Sequence, residues 1–279
     1  MTLIGLTAVP GAAADEPVVS GESIQEEIKN ATPGDTIEVE NGTYKENIVI
    51  SNSAPGVEDV TNITVTNANG ASPEVVFQPD DAGADANNAT NVTSNDGANP
   101  TVGDLATVEI YASGVEFSGI DVIRKGAPNR SQVSGLNTQA VTGRNANVTV
   151  RDVSITTELG SEANNNFGVF VSDEGSSDTS GVTLENVEAD GFETGVLISD
   201  FYGNSITGVE LKNVKTPNYH ENGLNVLEEN GGIQNGAVTG SHNDFTGGDT
   251  GSDSIATNDS DAVVLEGLWI LVDERRTRL

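Results

Sequence analysis

The sequence predicts an all-β fold, a single-stranded parallel β-helix (solenoid) entered through a short N-terminal capping helix, from three observations. The first is a recurring phrase in which apolar and polar residues alternate, and this alternation has the period of a strand with one buried face. The clearest copies are ITVTNAN from Ile63, VEFSGID from Val115, VTVRDVS from Val148, VTLENVE from Val182 and VELKNVK from Val209.

The second observation is the residue type at the fifth position of each copy. That position holds Asn67, Gly119, Asp152, Asn186 and Asn213, and a weaker copy from Val238 places His242 there. Glycine, asparagine, aspartate and histidine are the residues that most readily take a positive φ. We therefore predict a sharp bend of the backbone at each of these positions.

The third observation is the spacing of the copies. A second strand phrase follows the bend, as in FGVFVSD from Phe167, TGVLISD from Thr194 and NGLNVLE from Asn222. Copies from Val115 to Val238 begin 27 to 34 residues apart, and such periods indicate a solenoid, a propeller or an array. The period-2 pattern excludes a helical solenoid, and a propeller blade needs about 40 residues. The remaining fold is a stack of coils about 4.8 Å apart.

A capping helix is predicted at the start of this stack. Ser23, with Glu26 three residues later, forms the capping-box pattern. Ile24, Ile28 and Ala31 share one helical face that would cover the first coil. The following Pro-Gly pair ends the helix.

The chain divides into four segments in this interpretation: a signal-peptide remnant at 1–14, a capping segment at 15–35, the β-helix at 36–270 and a basic tail at 271–279. The first segment has an apolar run that ends in three alanines before Asp15, as at a signal-peptide cleavage site. No other run approaches the ~20 apolar residues of a membrane span. We expect a secreted or cell-surface protein.

The charge balance predicts adaptation to salt. Asp and Glu number 43 against 12 Lys and Arg, a net charge of -31, and the acids are spread along the chain. An acidic surface of this kind is a device of halophilic proteins and makes nucleic acid a poor partner. The absence of cysteine excludes disulfides and thiolate metal sites.

The run 23–51 carries a specific resemblance. It combines an S-I-x-x-x-I helix, a P-G-D-T-I turn and strand, and N-G-T-Y-x-E-x-I-x-I, in which Tyr44 would cover the first coil and Glu46 would stay on the solvent side. The run resembles the entry coil of the pectin-lyase-like superfamily, especially its NosD-type and carbohydrate-binding β-helix repeat branch. The resemblance implies a right-handed β-helix and, with the acidity, a haloarchaeal source. That superfamily includes lyases, hydrolases, esterases, epimerases and non-catalytic surface proteins, so the fold does not assign a function.

Signatures of the enzymatic branches are incomplete. The hydrolase signatures N-x-D, D-D and G-H-G do not occur together, since N-x-D and G-H-G are absent, and the lyase signature R-x-P-x-x-R is absent as well. The chain is most similar to the pectin-methylesterase branch, in G-x-Y-x-E at 42–46, QAV from Gln139 and DFYG from Asp200. By that resemblance Asp200 would be the nucleophile and Gln139 an oxyanion donor. The family's Q-D-T element, which carries the acid Asp, and its arginine motif are missing, so the two-carboxylate mechanism of that branch is incomplete here.

One cluster of basic residues provides a candidate binding site. Five of the 12 basic residues occur within 28 positions: Arg124, Lys125, Arg130, Arg144 and Arg151. We favour Arg124, Arg144 and Arg151, which stacking of the coils could bring to one side. The planar guanidinium suits an anionic sugar or sulfate, and the alternative is local neutralisation of an acidic surface.

No cofactor or metal centre is expected. A structural Ca²⁺ stays open because carboxylates such as Asp190, Glu193 and Asp200 would form an oxygen site if stacked. Among the N-x-S/T sequons, we predict glycans at Asn88, Asn91 and Asn258 of an exported, monomeric protein.

Three functions follow from this reading. We favour an exported, salt-adapted module that binds polysaccharide or cell-envelope glycan without an active site. One alternative is a lyase or esterase acting on acidic glycans. The other is a purely structural or adhesive envelope protein.

Overall fold

The computed structural model describes residues 17–51, 60–77, 104–125, 132–139, 145–158, 166–173, 178–200, 204–228, 232–233, 237–245 and 261–266. The helix α1 is Ile24–Asn30. The strands are β1 Thr36–Val39, β2 Thr43–Tyr44, β3 Ile48–Ser51, β4 Thr64–Asn67, β5 Glu74–Phe77, β6 Asp104–Tyr111, β7 Glu116–Ser118, β8 Asp121–Arg124, β9 Gln132–Gln139, β10 Asn145–Thr157, β11 Asn166–Ser172, β12 Thr179–Asp190, β13 Thr194–Ser199, β14 Ile206–Thr207, β15 Val209–Lys212, β16 Asn222–Leu227, β17 Val238–Ser241 and β18 Asp261–Glu266.

These strands stack into seven coils within the described residues, and every ladder between strands is parallel. Face 1 has the order β1-β4-β7-β10-β12-β15-β17. Face 2 is a shorter row in which β2, β5 and β8 lead to the second half of β10. Face 3 has the order β3-β6-β9-β11-β13-β16-β18. The predicted all-β parallel β-helix with one short capping helix is confirmed.

The core is a stack of equivalent apolar side chains. On face 1 the inward column places one residue of each strand in register with the next: Ile37, Val65, Phe117, Val150, Leu184 and Leu211. All six are buried and belong to one apolar cluster that runs through the stack. Full burial of such side chains is worth about 1.5–3 kcal/mol each. On face 3, Phe167, Phe170 and Leu197 form a separate buried cluster.

The helix α1 covers the first coil as predicted. Ile24 and Ile28 are fully buried, and the Ser23 hydroxyl accepts a hydrogen bond from the Glu26 amide. Glu46 departs from the prediction that it stays on the solvent side. Its carboxylate accepts hydrogen bonds from the Ser23 hydroxyl at 2.6 Å, the Ile24 amide at 2.8 Å and the Gln25 amide at 3.2 Å. The first turn of a helix leaves amide donors without internal partners, and Glu46 satisfies two of them.

Tyr44 closes the same end of the solenoid. Its ring is buried, and its hydroxyl donates hydrogen bonds to the carbonyls of Val18 at 2.9 Å and Glu40 at 3.1 Å. Burial, the largest cause, raises the pKa of Tyr44 above its ordinary value, and the carboxylate of Glu40 adds to the rise. The tyrosine of the entry run therefore joins the segment before α1 to the first coil.

The predicted bend is confirmed at five of its six positions. Gly119, Asp152, Asn186, Asn213 and His242 all have φ between 51 and 65 degrees. Asn67 is the exception and lies within β4 without a positive φ. There the positive φ falls on Gly70, at 78 degrees, and the Asn67 side-chain amide donates to the carbonyl of Ala71 at 2.7 Å.

A second column of positive φ precedes face 1. It comprises Gly34, Asn62, Gly114, Asn147, Gly181 and Gly208. Asn62 and Asn147 therefore owe their residue type to backbone conformation, although each also begins an N-x-S/T sequon. The sequence signal was the Asn or Gly directly before each strand phrase, and the sequence analysis missed it.

Candidate functional site

A chain of side-chain hydrogen bonds runs along the bend of face 1. The Asn213 amide donates to Asn186 Oδ1 at 2.9 Å, and the Asn186 amide donates to Asp152 Oδ1 at 2.8 Å. All three side chains are exposed. Because a carboxylate only accepts hydrogen bonds, Asp152 ends this ladder.

The ladder is interrupted one coil earlier at Gly119, which has no side chain. A Cβ added there would overlap the Asn67 side chain, which extends toward the glycine from the preceding coil. The positive φ of 65 degrees also favours glycine at this position. Gly119 therefore makes room for the Asn67 side chain and adds no rung of its own between Asn67 and Asp152.

A groove of about 400 Å³ lies at this interruption of the ladder. Its lining comes from three successive coils and is mainly polar: Thr66, Asn67, Ala71, Ser72, Ser118, Gly119, Asp121, Arg151 and Asp152. The groove is open to solvent and offers hydroxyl, amide, carboxylate and guanidinium groups. We define it as the bend groove.

Arg151 is held in one orientation at the bend groove. Its Nε and Nη2 donate to Glu116 Oε1 at 2.9 and 2.6 Å, and its Nη1 donates to Asp152 Oδ2 at 3.1 Å. The Arg151 side chain is 43% exposed. The hydrogen bond with Glu116 is the largest of the causes that raise the pKa of Arg151. The guanidinium is therefore charged, positioned and accessible.

Two hydroxyl groups extend this network along face 1. The Ser118 hydroxyl lies 2.9 Å from Thr66 Oγ1 and 3.3 Å from Glu116 Oε1, within hydrogen-bond distance of both. Thr66, Ser118 and Arg151 occupy one register column across three coils. The groove floor is thus a row of polar groups at the spacing of the coils, about 4.8 Å.

Asp121 adds a second carboxylate to the groove. Burial, the largest cause, raises its pKa, and repulsion from Glu74 raises it further, whereas a backbone hydrogen bond from Ser154 acts in the opposite direction. Glu74 and Asp121 are register partners on face 2. Two acids of neighbouring coils therefore lie side by side.

The described structure does not bring Arg124 and Arg151 into one column. Arg151 is in register with Ser118, whereas Arg124 lies beyond the bend, in register with Thr157. The Arg124 side chain is fully buried, so it has no access to a ligand at the surface. Lys125, next to it, forms an ion pair with Glu158 at 2.7 Å. Arg144 lies outside the described residues, as do the predicted glycan sites at Asn88, Asn91 and Asn258.

The sequence analysis missed a carboxylate beside Asp200. Asp173 and Asp200 directly follow Ser172 and Ser199, which are register partners on face 3, so the two acids lie one coil apart. Gln139 is the register partner of Ser172 in the coil before. A carboxylate pair is the arrangement that nucleophilic and acid-base chemistry on esters would use.

The contacts of this carboxylate pair favour a structural role. Asp173 and Asp200 are both fully buried. Asp173 Oδ2 accepts a hydrogen bond from the backbone N–H of Asn204 at 2.7 Å, and Asp200 Oδ2 accepts one from the backbone N–H of Gly232 at 2.6 Å. The same contact occurs in consecutive coils, so each aspartate anchors the backbone of the coil that follows.

The acids considered for calcium are engaged separately. Asp190 accepts a hydrogen bond from the side-chain amide of Asn218 at 2.6 Å. Glu193 accepts one from the backbone N–H of Asn166 at 3.1 Å. Across the described ranges, no group of three or more potential ligands is arranged to hold a metal ion. Nor does the described part of the chain contain a helix long and apolar enough to cross a membrane.

Comparison with known proteins returns pectin methylesterases among solved structures. The carrot enzyme is 11% identical, with 94% of this chain and 90% of that chain covered and a TM-score of 0.40. The enzyme from Aspergillus niger, in its deglycosylated form, is 10% identical, with 95% and 88% covered and a TM-score of 0.38. The enzyme from Erwinia chrysanthemi is 15% identical, with 82% and 71% covered and a TM-score of 0.34.

Similarity at these levels assigns neither an activity nor a substrate to this chain. No family model and no curated protein sequence matches it.

Proposed function

We propose that this chain is an exported, salt-adapted β-helix module that binds polysaccharide or cell-envelope glycan in the bend groove. One observation carries the proposal: an open polar groove contains an exposed guanidinium held in place by Glu116 and Asp152. A positioned guanidinium loses little conformational entropy when it donates to a ligand. A sugar ring with several hydroxyls is a ligand that such a groove can hold by hydrogen bonds alone.

The wider setting supports the same proposal. The net charge of -31 is typical of a protein that works in concentrated salt, which agrees with a haloarchaeal source. An apolar run before Asp15 favours export, and the entry run favours the NosD-type branch. We further propose that the protein is a monomer and carries glycans at Asn88, Asn91 and Asn258.

The test is retention on immobilised polysaccharides in molar NaCl. Arg151→Gln removes the charged guanidinium while keeping a polar side chain, and we expect this variant to be retained at least tenfold less than the wild type. Lys212→Gln is the matched control, because Lys212 lies in the same register column two coils further and pairs with Glu210 at 2.9 Å outside the groove. Equal losses in the two variants, with unchanged circular dichroism, would contradict the proposed site.

A carbohydrate esterase is the second candidate, on the observation that Asp173 lies one coil from Asp200. In that case Asp200→Asn would abolish release of methanol from a methylated glycan without unfolding the protein. If the aspartates anchor backbone instead, the wild-type protein releases no methanol and Asp200→Asn lowers the urea midpoint. The buried contacts of both carboxylates favour the second outcome.

A further inference from the structure

We propose that the bend groove selects uncharged sugars with neighbouring hydroxyl groups and rejects uronate and sulfated chains. This inference rests on the proposed function and names the class of glycan that the groove takes. It differs from the anionic ligand expected from the basic cluster in the sequence. Three features support this selectivity: the net negative charge of the groove, the contacts of Arg151 with internal carboxylates, and the hydrogen-bond donors and acceptors that the groove contains.

The charge balance of the groove is negative. Asp121 and Asp152 line it directly, Glu116 lies behind Arg151, and Glu74 is the register partner of Asp121. One guanidinium is therefore outnumbered by four carboxyl groups in the groove and next to it. Arg124 is buried away from the groove and Lys125 is paired with Glu158, so neither cation offsets this excess. An anionic ligand would approach like charge, which costs affinity.

The positive charge of Arg151 is neutralised by carboxylates within the protein. Its contacts with Glu116 and Asp152 occupy three N–H groups, and a guanidinium has five. Within the described residues, two N–H donors are left for a ligand. They can donate to neutral oxygen acceptors, but the Coulomb attraction to an external carboxylate or sulfate is already cancelled by two internal partners.

The remaining groups match sugar hydroxyls. A hydroxyl both donates and accepts, and the groove presents carboxylate acceptors at Asp121 and Asp152 next to the donors of Arg151. The partly exposed Thr66 supplies a hydroxyl group that can take either role, and the hydroxyl of the buried Ser118 lies 2.9 Å from it. Two neighbouring sugar hydroxyls can therefore bind together, one donating to a carboxylate while the other accepts from the guanidinium. A sulfate or the carboxylate of a uronate offers acceptors only, so at that position of the ligand the carboxylates of the groove have no donor.

Salt dependence separates the two kinds of binding. Attraction of an anionic glycan weakens as salt rises, because the Debye length falls from about 10 Å at 0.1 M to about 3 Å at 1 M. Hydrogen bonds with an uncharged ligand do not depend on this screening. Binding should therefore be measured by titration calorimetry with a neutral glucan, polygalacturonate and chitosan, at the lowest salt that keeps the protein folded and at 3 M NaCl.

We expect the neutral glucan to bind best and its affinity to change less than about twofold across the salt range. Preferential binding of polygalacturonate, or of the cationic chitosan, would overturn the selectivity and leave the proposed function intact. Binding of none of the three by the wild-type protein at either salt would overturn the proposed function itself.

Two variants locate the effect. Glu116→Gln keeps an oxygen acceptor for Arg151 but removes the negative charge beside it. We therefore expect the affinity of this variant for polygalacturonate to rise roughly fivefold relative to the neutral glucan at low salt, from one charge at contact distance in water. Thr66→Val keeps the shape of a partly exposed side chain and removes its hydroxyl group. We expect this variant to bind the neutral glucan more weakly than the wild type does. If Glu116→Gln fails to fold, Thr66→Val still tests the groove. Unchanged glucan affinity in Thr66→Val and an unchanged preference in Glu116→Gln would overturn the proposal.

Discussion

At the scale of single residues, Asp152 both forms the bend of the backbone and lines the bend groove. Its φ of 56 degrees forms the bend, its Oδ1 accepts from Asn186 and its Oδ2 accepts from Arg151. An asparagine at this position could form the bend but could not accept from both donors with two oxygens. The carboxylate is therefore required by the junction of the ladder and the groove.

Asp121 allows a prediction at this scale. Its folded pKa is raised, mainly by burial, so the protonated form is favoured in the folded state. In the window between the unfolded value of 3.8 and the raised folded value, the native state binds more protons than the unfolded state, and stability falls as pH rises. Asp121→Asn, which is neutral at every pH, should therefore be more stable than the wild type at pH 7. The difference should vanish once the pH is below 3.8.

Urea unfolding at constant high salt, followed at pH 7, 5.5 and 3.5, measures this difference. Glu188→Gln is the control, because Glu188 is exposed and the change removes the same charge. Its effect should stay within about 0.5 kcal/mol. A wild-type protein more stable than Asp121→Asn at pH 7 would mean that the ionised carboxylate is stabilising.

At the scale of elements, the bend of face 1 repeats as a structural unit. Asn186 and Asn213 both combine a positive φ with one rung of the side-chain ladder. Each of these two coils therefore fixes its own bend and the spacing to the preceding coil with a single residue. The strand before the bend contributes an inward residue to the core and outward residues to the surface.

Asn186→Val tests this unit. A β-branched residue at positive φ is strained by about 1–3 kcal/mol, and the change also removes the hydrogen bonds to Asp152 and from Asn213. We expect a lower free energy of unfolding by at least the strain. The neighbouring Glu185→Gln should change it by less than about 0.5 kcal/mol. Urea midpoints of the two variants make the comparison, and equal midpoints would show that the bend tolerates a side chain of any shape.

Much of this element was predictable from sequence, because the bend residues follow a recognisable strand phrase at a fixed offset. Asn67 was predicted wrongly because it has the right residue type, whereas the positive φ falls on Gly70 three residues later. The role of Glu46 was also missed. Its partners, Ser23 to Gln25, are about 20 residues away, and the local alternation indicates only the side of the strand on which a residue lies.

At the scale of the whole molecule, the stack of coils follows from repetition, whereas the bend groove follows from an exception to it. Alternation and spacing were sufficient for the fold. The groove lies where Gly119 leaves out one rung between Asn67 and Asp152, and loops of different length separate these three residues in the sequence. The basic cluster illustrates the same limit, because proximity in sequence did not place Arg124 and Arg151 in one register column.

The acidity of the molecule leads to a prediction about the fold as a whole. A net charge of -31 on 279 residues opposes compaction, and the core consists largely of thin columns of Val, Ile and Leu that stack through one cluster. Screening at 1 M salt shortens the range of self-repulsion to about 3 Å, from about 30 Å at 0.01 M. We therefore expect the β signal in circular dichroism to be lost at 0.01 M and regained in molar KCl or NaCl. Sucrose at matched osmolality strengthens burial without screening charge, so it should restore much less of the signal. A β signal and melting temperature that stay constant from 0.01 M to 3 M salt would show that the core alone outweighs the repulsion, and the acidity would then require an explanation other than adaptation to salt.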